Sequence, residues 1–495
     1  MSNKISTLGE LKKSGWKSIS VKEEMRKNLI EKMKRKEVLF PGILGYEKTV
    51  IPQLQNAILS RHDLILLGLR GQAKTRILRM LVQFLDEEVP VVEGSEVNDD
   101  PFNPISKFAR NLIAEKGDDT PIGWLPREER YGEKLATPDT TVADLIGDID
   151  PIKAASKRLS LADEEVINYG LIPRTNRGIF VINELPDLQP RIQVSLLNIM
   201  QERDIQIRGF NIRIPLDVSM AFSANPEDYT NRGNIITPLK DRIDSQIITH
   251  YPRELSIARE ITKQEAWSNR NGEVQVHIPE NYRAVLENVA FEARNSEYID
   301  QKSGVSTRMT ITAMEHVISA AERRALHNGE KETSLRITDL YHMVPALTGK
   351  LELVYEGEQE GAVSVAKHII GKAINNTFKS LFPDPSKRVV EEKESEYKKI
   401  LDWFANGNSL EIPDMESDKA YMKKLDSVDG LKKMAQNYSG KEKKDLYPHM
   451  DLIIEALHQN SKLGKDDIDD VRSYSDMLGS MLGGIDDFDD EDFEL

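Results

Sequence analysis

Between Pro41 and about Pro252, short aliphatic or β-branched runs ("DLILLGL", "PVVEG", "GIFVINEL" and "DVSMAFSAN") alternate with segments whose apolar residues recur at helical spacing. That alternation predicts an α/β domain built on a mostly parallel sheet. From Arg253 to about Leu381 the spacing is helical throughout, as in "NYRAVLENVAFEARN" and "TITAMEHVISAAERRALHN". "FPDPSKR" breaks this pattern, and the remainder is charged and helical before it passes into a Gly/Asp/Phe tail expected to be disordered. The division read from these patterns is a basic helical leader over 1–40, an α/β core over 41–252, a helical lid over 253–381, a helical extension over 382–475 and an acidic tail over 476–495. No internal repeat is visible.

Composition narrows the class. At 495 residues, 39% hydrophobic and 30% charged, the chain is expected to hold two or more globular domains with ample core. It contains no cysteine, which excludes disulfides and thiolate metal sites. No apolar run approaches the roughly 20 residues that span a bilayer, and the N-terminus lacks the apolar centre of a secretion signal. The cytoplasm is the expected location, without membrane contact. A net charge of −15 argues against nucleic-acid binding over the whole surface. The charge is uneven: "VKEEMRKNLIEKMKRKEVL" is a basic amphipathic segment, and "GGIDDFDDEDFEL" has no basic residue. The first is read as a solvated helix face, with binding to phosphate or an acidic partner as the alternative. The second reads equally as a solubilising tail or, through Phe488 and Phe493, as a docking motif. The nine histidines are scattered without zinc-binding spacing.

The chemistry concentrates where strands end. "GLRGQAKTR" joins a buried strand to a helix and matches the phosphate-cradling pattern G-x-x-x-x-G-K-S/T at Gly68, Lys74 and Thr75, with Ala73 in place of the second glycine. In such a turn backbone N–H groups and the helix dipole favour phosphate. Lys74 would reach the β- and γ-phosphates, and Thr75 would set its hydroxyl on Mg²⁺. "GIFVINEL" ends in Asn183–Glu184, where a Walker-B strand places an acid for the metal shell and a glutamate to polarise water. Glu184 suits the second role, whereas Asn183 brings no charge. "DVSMAFSAN" ends in Asn225, placed to orient the lytic water or touch the γ-phosphate. Arg242 follows in "PLKDRID", and Arg308 stands near a helix start in "SGVSTRMTITAMEHV".

This order of loop, strand-Glu, strand-Asn, Asp-Arg and helical-zone Arg is that of AAA+ ATPases. In detail it resembles the MoxR and magnesium-chelatase I-subunit branch. "GLRGQAKTR" resembles the MoxR form of the loop, in which alanine commonly precedes the lysine. "QVSLLNIMQERDIQIRGFNIRIP" resembles the branch's helix and following hairpin, "YGLIPRTNRGIFVINEL" the run into its Walker-B strand, and "ATPDTTVADLIGDIDP" its inserted segment. The resemblance covers about Phe40 to Leu351. It implies an α/β P-loop core with a parallel sheet and a helix-2 insert, an all-helical lid, and a hexameric ring of identical subunits with ATP at the seams. On that basis Gly68, Leu69, Arg70, Gly71, Gln72, Ala73, Lys74 and Thr75 hold the phosphates, and Ile43 and Gly45 line the adenine pocket. Thr75 and Asn183 serve magnesium, Glu184 is the catalytic base, Asn225 is sensor 1 and Arg308 is sensor 2. Arg242 is the finger supplied in trans, with Arg232 of "TNRGN" as a second candidate.

Two departures bear on function. An amide for a carboxylate at Asn183 loses one charge-assisted interaction, on the order of 1–3 kcal/mol, so slow turnover is expected. The extension beyond about Leu381 matches neither relative. The expected function is a MoxR-like remodelling ATPase acting on a partner with a von Willebrand factor A domain, and a magnesium-chelatase-type metal-insertion motor is the less favoured reading. A nucleotide-gated scaffold with little hydrolysis is the competitor from another class. A DNA-acting ring is disfavoured, because the G-A-F-T-G-A loop of sigma-54 activators is absent and no helix-turn-helix is evident.

Overall fold

The computed structural model describes residues 5–160, 163–207, 213–225, 234–270, 272–386, 396–438, 443–468 and 471–477. The acidic tail from residue 478 onward and Arg232 lie outside the described residues. The chain divides into two compact units, Met1–Tyr251 and Pro252–Leu495.

The first unit is built on five parallel strands: β1 (Leu64–Leu67), β2 (Tyr131–Leu135), β3 (Gly178–Asn183), β4 (Val218–Ala224) and β5 (Ser245–Ile248), in the spatial order β5-β1-β4-β3-β2. Leu64 pairs with Ala221 on one side and Ser245 on the other, and Ala221 pairs in turn with Val181. Successive side chains leave a strand on opposite faces. Leu64, Leu66, Ile179 and Val181 accordingly enter one apolar cluster, while Ile65, Phe180 and Ile182 enter another. Burial on both faces explains why these strands read as unbroken apolar runs rather than alternating ones. The structure thus has the α/β parallel sheet expected of a P-loop core. The inserted segment carries a short antiparallel pair, Gly147–Ile149 with Ile167–Tyr169, and after helix α4 (Pro190–Gln201) Asp204–Gln206 pairs antiparallel with Arg213–Pro215.

Helices α1 (Val21–Lys34) and α2 (Val50–Leu59) cover one face of the sheet. The basic segment is not simply a solvated face. Lys27 and Lys34 are exposed, but Val21, Met25 and Leu29 enter the core and carry two charges with them. Lys22 pairs with Asp63 at 2.7 Å, and both are buried. Burial raises the Asp63 pKa; the nearby Lys22 ammonium opposes that shift without cancelling it. Glu24 receives two bonds from Arg130, at 2.7 and 2.6 Å, and a third from the Asp86 amide at 2.6 Å. These pairs tie the leader helix to the starts of β1 and β2.

In the second unit one apolar core joins α6 (Glu280–Asn295), α7 (Arg308–His327), α8 (Ala362–Leu381) and α9 (Leu446–Gln459). The residues expected to form a separate extension share this core. They are helical in the main, yet they add a three-stranded antiparallel sheet of Leu410–Pro413, Val471–Ser475 and Gly464–Ile468 that helical spacing did not announce. Its strands are short and charged; Leu410, Ile412 and Tyr474 turn into the apolar core, and Arg472 is buried beside Tyr474. Among the described residues no helix is long and apolar enough to cross a membrane.

Breaking a buried ion pair from one side leaves an uncompensated charge and costs about 3–5 kcal/mol, whereas replacing both partners by apolar groups is often close to neutral. Glu24→Ala is therefore expected to lower unfolding stability in urea by about that amount, and Glu24→Met with Arg130→Met by far less. Equal losses in the two variants would show that the charges themselves are not what clamps the leader.

Candidate functional site

β1 lies between β4 and β5, where the strand order reverses, and in open parallel sheets ligands bind beyond the C-terminal strand ends at such a point. The loop Gly68–Ala73 leaves β1 there and enters α3 (Lys74–Met80). Gly68 is required by its surroundings: a Cβ on it would lie 1.9 Å from the Thr249 hydroxyl oxygen and 2.2 Å from Gln72 Oε1. Gly71 has φ +75°, and Ala73 takes the left-handed conformation at φ +58°. The residue that breaks the glycine pattern thus adopts the backbone that glycine usually serves, at a cost on the order of 1–2 kcal/mol for a residue with a Cβ.

The loop is fastened from outside by residues that the sequence did not single out. The Thr249 hydroxyl donates to Gln72 Oε1 at 2.6 Å, and the Tyr251 hydroxyl donates to the Arg70 carbonyl at 2.9 Å. The Tyr46 hydroxyl is 3.1 Å from the Gln72 carbonyl and 2.8 Å from that of His250. Burial pushes the Tyr46 pKa up to about 12, so it remains a donor at any ordinary pH.

Inside the loop, the Lys74 ammonium donates to the carbonyls of Gly68 and Leu69 at 2.5 and 3.0 Å and to Asn225 Oδ1 at 2.6 Å. Asn225 Nδ2 donates onward to Glu184 Oε2 at 2.8 Å. A continuous relay therefore links the lysine of the loop, the residue after β4 and the residue after β3. Glu184 has φ +55°, a second left-handed residue without the excuse of being glycine. Such strain clusters at functional sites.

The other half of the β3 terminus forms its own network. Thr75 Oγ1 is 3.4 Å from Asn183 Oδ1, and the Ser223 hydroxyl donates to the same oxygen at 2.9 Å. Asn183 Nδ2 donates to Glu133 Oε1, on the neighbouring strand β2, at 2.8 Å. Glu133 also receives Arg79 from α3, at 2.8 and 3.0 Å, and the Tyr131 hydroxyl at 3.1 Å. Burial favours the neutral acid, but the bonds from Arg79, Tyr131 and Asn183 outweigh it, and the Glu133 pKa is held below its ordinary value. Glu133 and Ser223 escaped the sequence reading. "YGEKL" has no apolar run to mark a strand end, and a serine within "DVSMAFSAN" reads as core filler.

Lys74, Thr75, Asn183, Glu184 and Asn225 are thus brought together with Gly68, Leu69 and Gln72. Ile43 lines a cavity of about 410 Å³ with Met33, Phe40, Leu44 and Ile51, none of them a residue of the loop, and Gly45 has φ +82°. Arg242, at the end of α5 (Thr237–Arg242), is half-exposed, and its guanidinium holds Gln201 at 2.9 and 2.6 Å and the Pro238 carbonyl at 2.8 Å. Arg308 opens α7 in the second unit. Oxygen donors such as Thr75 and Asn183 suit Mg²⁺, which takes one or two protein oxygens and completes its shell with phosphate and water.

Comparison with known proteins places this arrangement. The sigma-54 interaction domain family matches residues 161–248, the stretch that holds β3, β4 and β5. The magnesium-chelatase 38 kDa subunit of Rhodobacter capsulatus is 27% identical over 231 residues, which is 45% of this chain and 59% of that protein. The subunit of the same name from Cereibacter sphaeroides is 26% identical over 244 residues, or 47% and 65%. The chain therefore spans less than two thirds of the length of either relative. Among solved structures, NtrX of Brucella abortus aligns at 15% identity and TM-score 0.34 over 59% of this chain and 55% of its own. A magnesium-chelatase BchI–BchD complex built on a cryo-EM reconstruction aligns at 20% identity and TM-score 0.34, over 65% and 98%. Such low TM-scores add nothing to the sequence relationship. The similarity in sequence and the switch-point loop agree, and together they support an AAA+ ATPase of the magnesium-chelatase I-subunit branch.

Proposed function

We propose that the chain binds ATP with Mg²⁺ at the Gly68–Thr75 loop and hydrolyses it within a ring of identical subunits to remodel a partner protein. The observation that carries this reading is the Lys74–Asn225–Glu184 relay at the mouth of the switch point. The Lys74 ammonium rests on oxygens of Gly68, Leu69 and Asn225, and in this reading an incoming triphosphate takes their place at a preformed cation. The loop glycines admit the phosphates close to the backbone. Phosphoryl transfer requires positioning and charge neutralisation more than covalent chemistry. When bound, Mg²⁺ supplies charge neutralisation at the phosphates, with Thr75 and Asn183 as the residues that would hold it. Glu184 Oε2, fixed by Asn225, orients a water against the γ-phosphate and takes its proton. Asn225 then reports the presence of that phosphate to both Lys74 and Glu184.

In this reading Arg242 enters the seam of a neighbouring subunit as the trans finger, Arg308 is sensor 2, and Ile43 and Gly45 line the adenine pocket. The client is proposed to carry a von Willebrand factor A domain, in the manner of MoxR proteins. The named relatives are magnesium-chelatase subunits, so a metal-insertion motor remains the second reading. The resemblance to sigma-54 interaction domains stops at the shared core, because the sequence has no G-A-F-T-G-A loop. Asn183 gives the scaffold reading its ground, since a neutral amide stands where a carboxylate is usual.

Two variants test this reading. Lys74→Ala is expected to abolish binding of a fluorescent ATP analogue while leaving the melting temperature of the free protein within a few degrees. Glu184→Gln is expected to keep binding, to lower steady-state hydrolysis by about 10²–10⁴-fold, the usual contribution of a positioned general base, and to accumulate the assembled ring in size-exclusion chromatography with ATP. Unchanged hydrolysis in Glu184→Gln would remove Glu184 from the catalytic role. Tight ATP binding without turnover in the unaltered chain would select the scaffold.

A further inference from the structure

Asn183 is tied to Glu133 in a way that its place in the strand does not require. An amide can be turned two ways, and here its partners decide. The Glu133 carboxylate can only accept, so it takes Nδ2, at 2.8 Å. That leaves Oδ1 facing the Ser223 hydroxyl at 2.9 Å and the Thr75 hydroxyl at 3.4 Å. Turning the amide over would set a carbonyl oxygen against a carboxylate and an N–H₂ group against the hydroxyl reserved for the metal. The parallel pairing of β2 with β3, Glu133 opposite Val181 and Leu135 opposite Asn183, delivers the carboxylate to that spot. Arg79, one turn beyond Thr75 on α3, holds Glu133 through both oxygens and so closes a loop from the phosphate-binding helix back to the metal-binding strand.

Resting on the reading of the loop as a magnesium–ATP site, we infer that Asn183 and Glu133 together replace the single Walker-B aspartate. The amide oxygen faces the metal shell, and the negative charge stands one hydrogen bond behind it on the adjacent strand. Glu133 is a positioning residue. It fixes the amide orientation and, by drawing on the N–H₂ group, makes the amide oxygen a stronger acceptor for a metal-bound water. The ordinary aspartate would be poorly tolerated here, because it would set two carboxylates within hydrogen-bond distance of one another, and like charges so close do not both stay ionised.

The test is a reciprocal rescue in the full-length chain, read as binding of a fluorescent ATP analogue during titration with Mg²⁺ and again in EDTA. Glu133→Gln is expected to raise the half-saturating Mg²⁺ concentration about 10–100-fold, as loss of an outer-shell partner usually does, with little change in EDTA. Asn183→Asp alone is expected to gain nothing over the unaltered chain. The double variant Glu133→Gln with Asn183→Asp restores the ordinary arrangement and is expected to recover Mg²⁺ dependence to near the unaltered level. A merely structural role for Glu133 would weaken binding in Glu133→Gln without recovery in the double variant, and that result overturns the inference. Unchanged Mg²⁺ dependence in Glu133→Gln overturns it as well. Lys74→Ala separates the two levels: if the unaltered chain binds ATP no better than Lys74→Ala, the loop assignment itself falls and this inference with it.

Discussion

The parallel ladder through β1 is the constraint on which the rest depends, because it continues one residue past the strand on both sides. The Gly68 amide donates to the Ala224 carbonyl at 3.2 Å, and the Thr249 amide donates to the Leu67 carbonyl at 2.7 Å. Those two bonds lock the first residue of the loop between the ends of β4 and β5. Asn225 and Thr249, each the next residue after a strand, are thereby fixed against the loop without any freedom of their own. One step further across the sheet, the Glu184 amide reaches the Ser223 hydroxyl at 3.3 Å. Strand register, set by apolar burial on both faces, therefore sets the geometry of polar groups that contribute little to the core. A slip of one residue would turn every side chain to the opposite face and dismantle the site.

Of the nine described non-glycine residues with positive φ, two stand in this frame. Ala73 and Glu184 both take left-handed backbone conformations, and each stands immediately beside a residue of the relay or the metal-facing pair. Each such residue costs on the order of 1–3 kcal/mol and persists only if its neighbours over-determine it. For Ala73 the neighbours are Gln72, pinned by Thr249, and Lys74, pinned by three acceptors. For Glu184 they are the buried end of β3 and the bond from Asn225. Relaxing either backbone would pull a charged side chain out of register with the strand ends. The strain is thus coupled to the position of the ionised groups.

What was legible in the sequence follows the same division. β1, β3 and β4 could be read because burial on both faces leaves unbroken apolar runs; Asn183, Glu184 and Asn225 could be read because each directly follows or closes such a run, and Lys74 because it stands at the spacing of the phosphate-loop pattern after β1. β2 could not be read in this way. It is an edge strand, paired among the described residues only with β3, and "YGEKL" carries its charges in the strand itself. Glu133 was therefore invisible as a site residue, although it contacts one that was named. Tyr46, Thr249 and Tyr251 were missed for another reason. They act through hydroxyl groups on residues distant in sequence, Tyr46 on Gln72 and His250, 26 and 204 residues away, and Thr249 and Tyr251 on the loop, 177 and 181 residues away, and a lone hydroxyl carries no periodic signal. The antiparallel sheet beyond Leu381 escaped because polar strands four or five residues long look like helix ends when most of their neighbours are helical.

Seen from the site, Glu133 changes the meaning of the amide at the end of β3. Taken alone, Asn183 is a subtraction, a carboxylate made neutral. With its partner it is a displacement, since the formal charge moves outward by one hydrogen bond and acquires a cation, Arg79, whose side chain is 64% exposed. An exposed partner is screened by solvent, so the Arg79 pair costs Glu133 less of its field than a buried pair would. In the proposed magnesium site the amide lies between that field and the metal and transmits it through a single polarised group. Such an arrangement neutralises less charge at the metal than a directly facing carboxylate, and it adds a dependence that a direct ligand lacks. Arg79 sits on the helix that begins at Lys74, so a shift of that helix on nucleotide exchange would move the guanidinium and the charge behind Asn183 together.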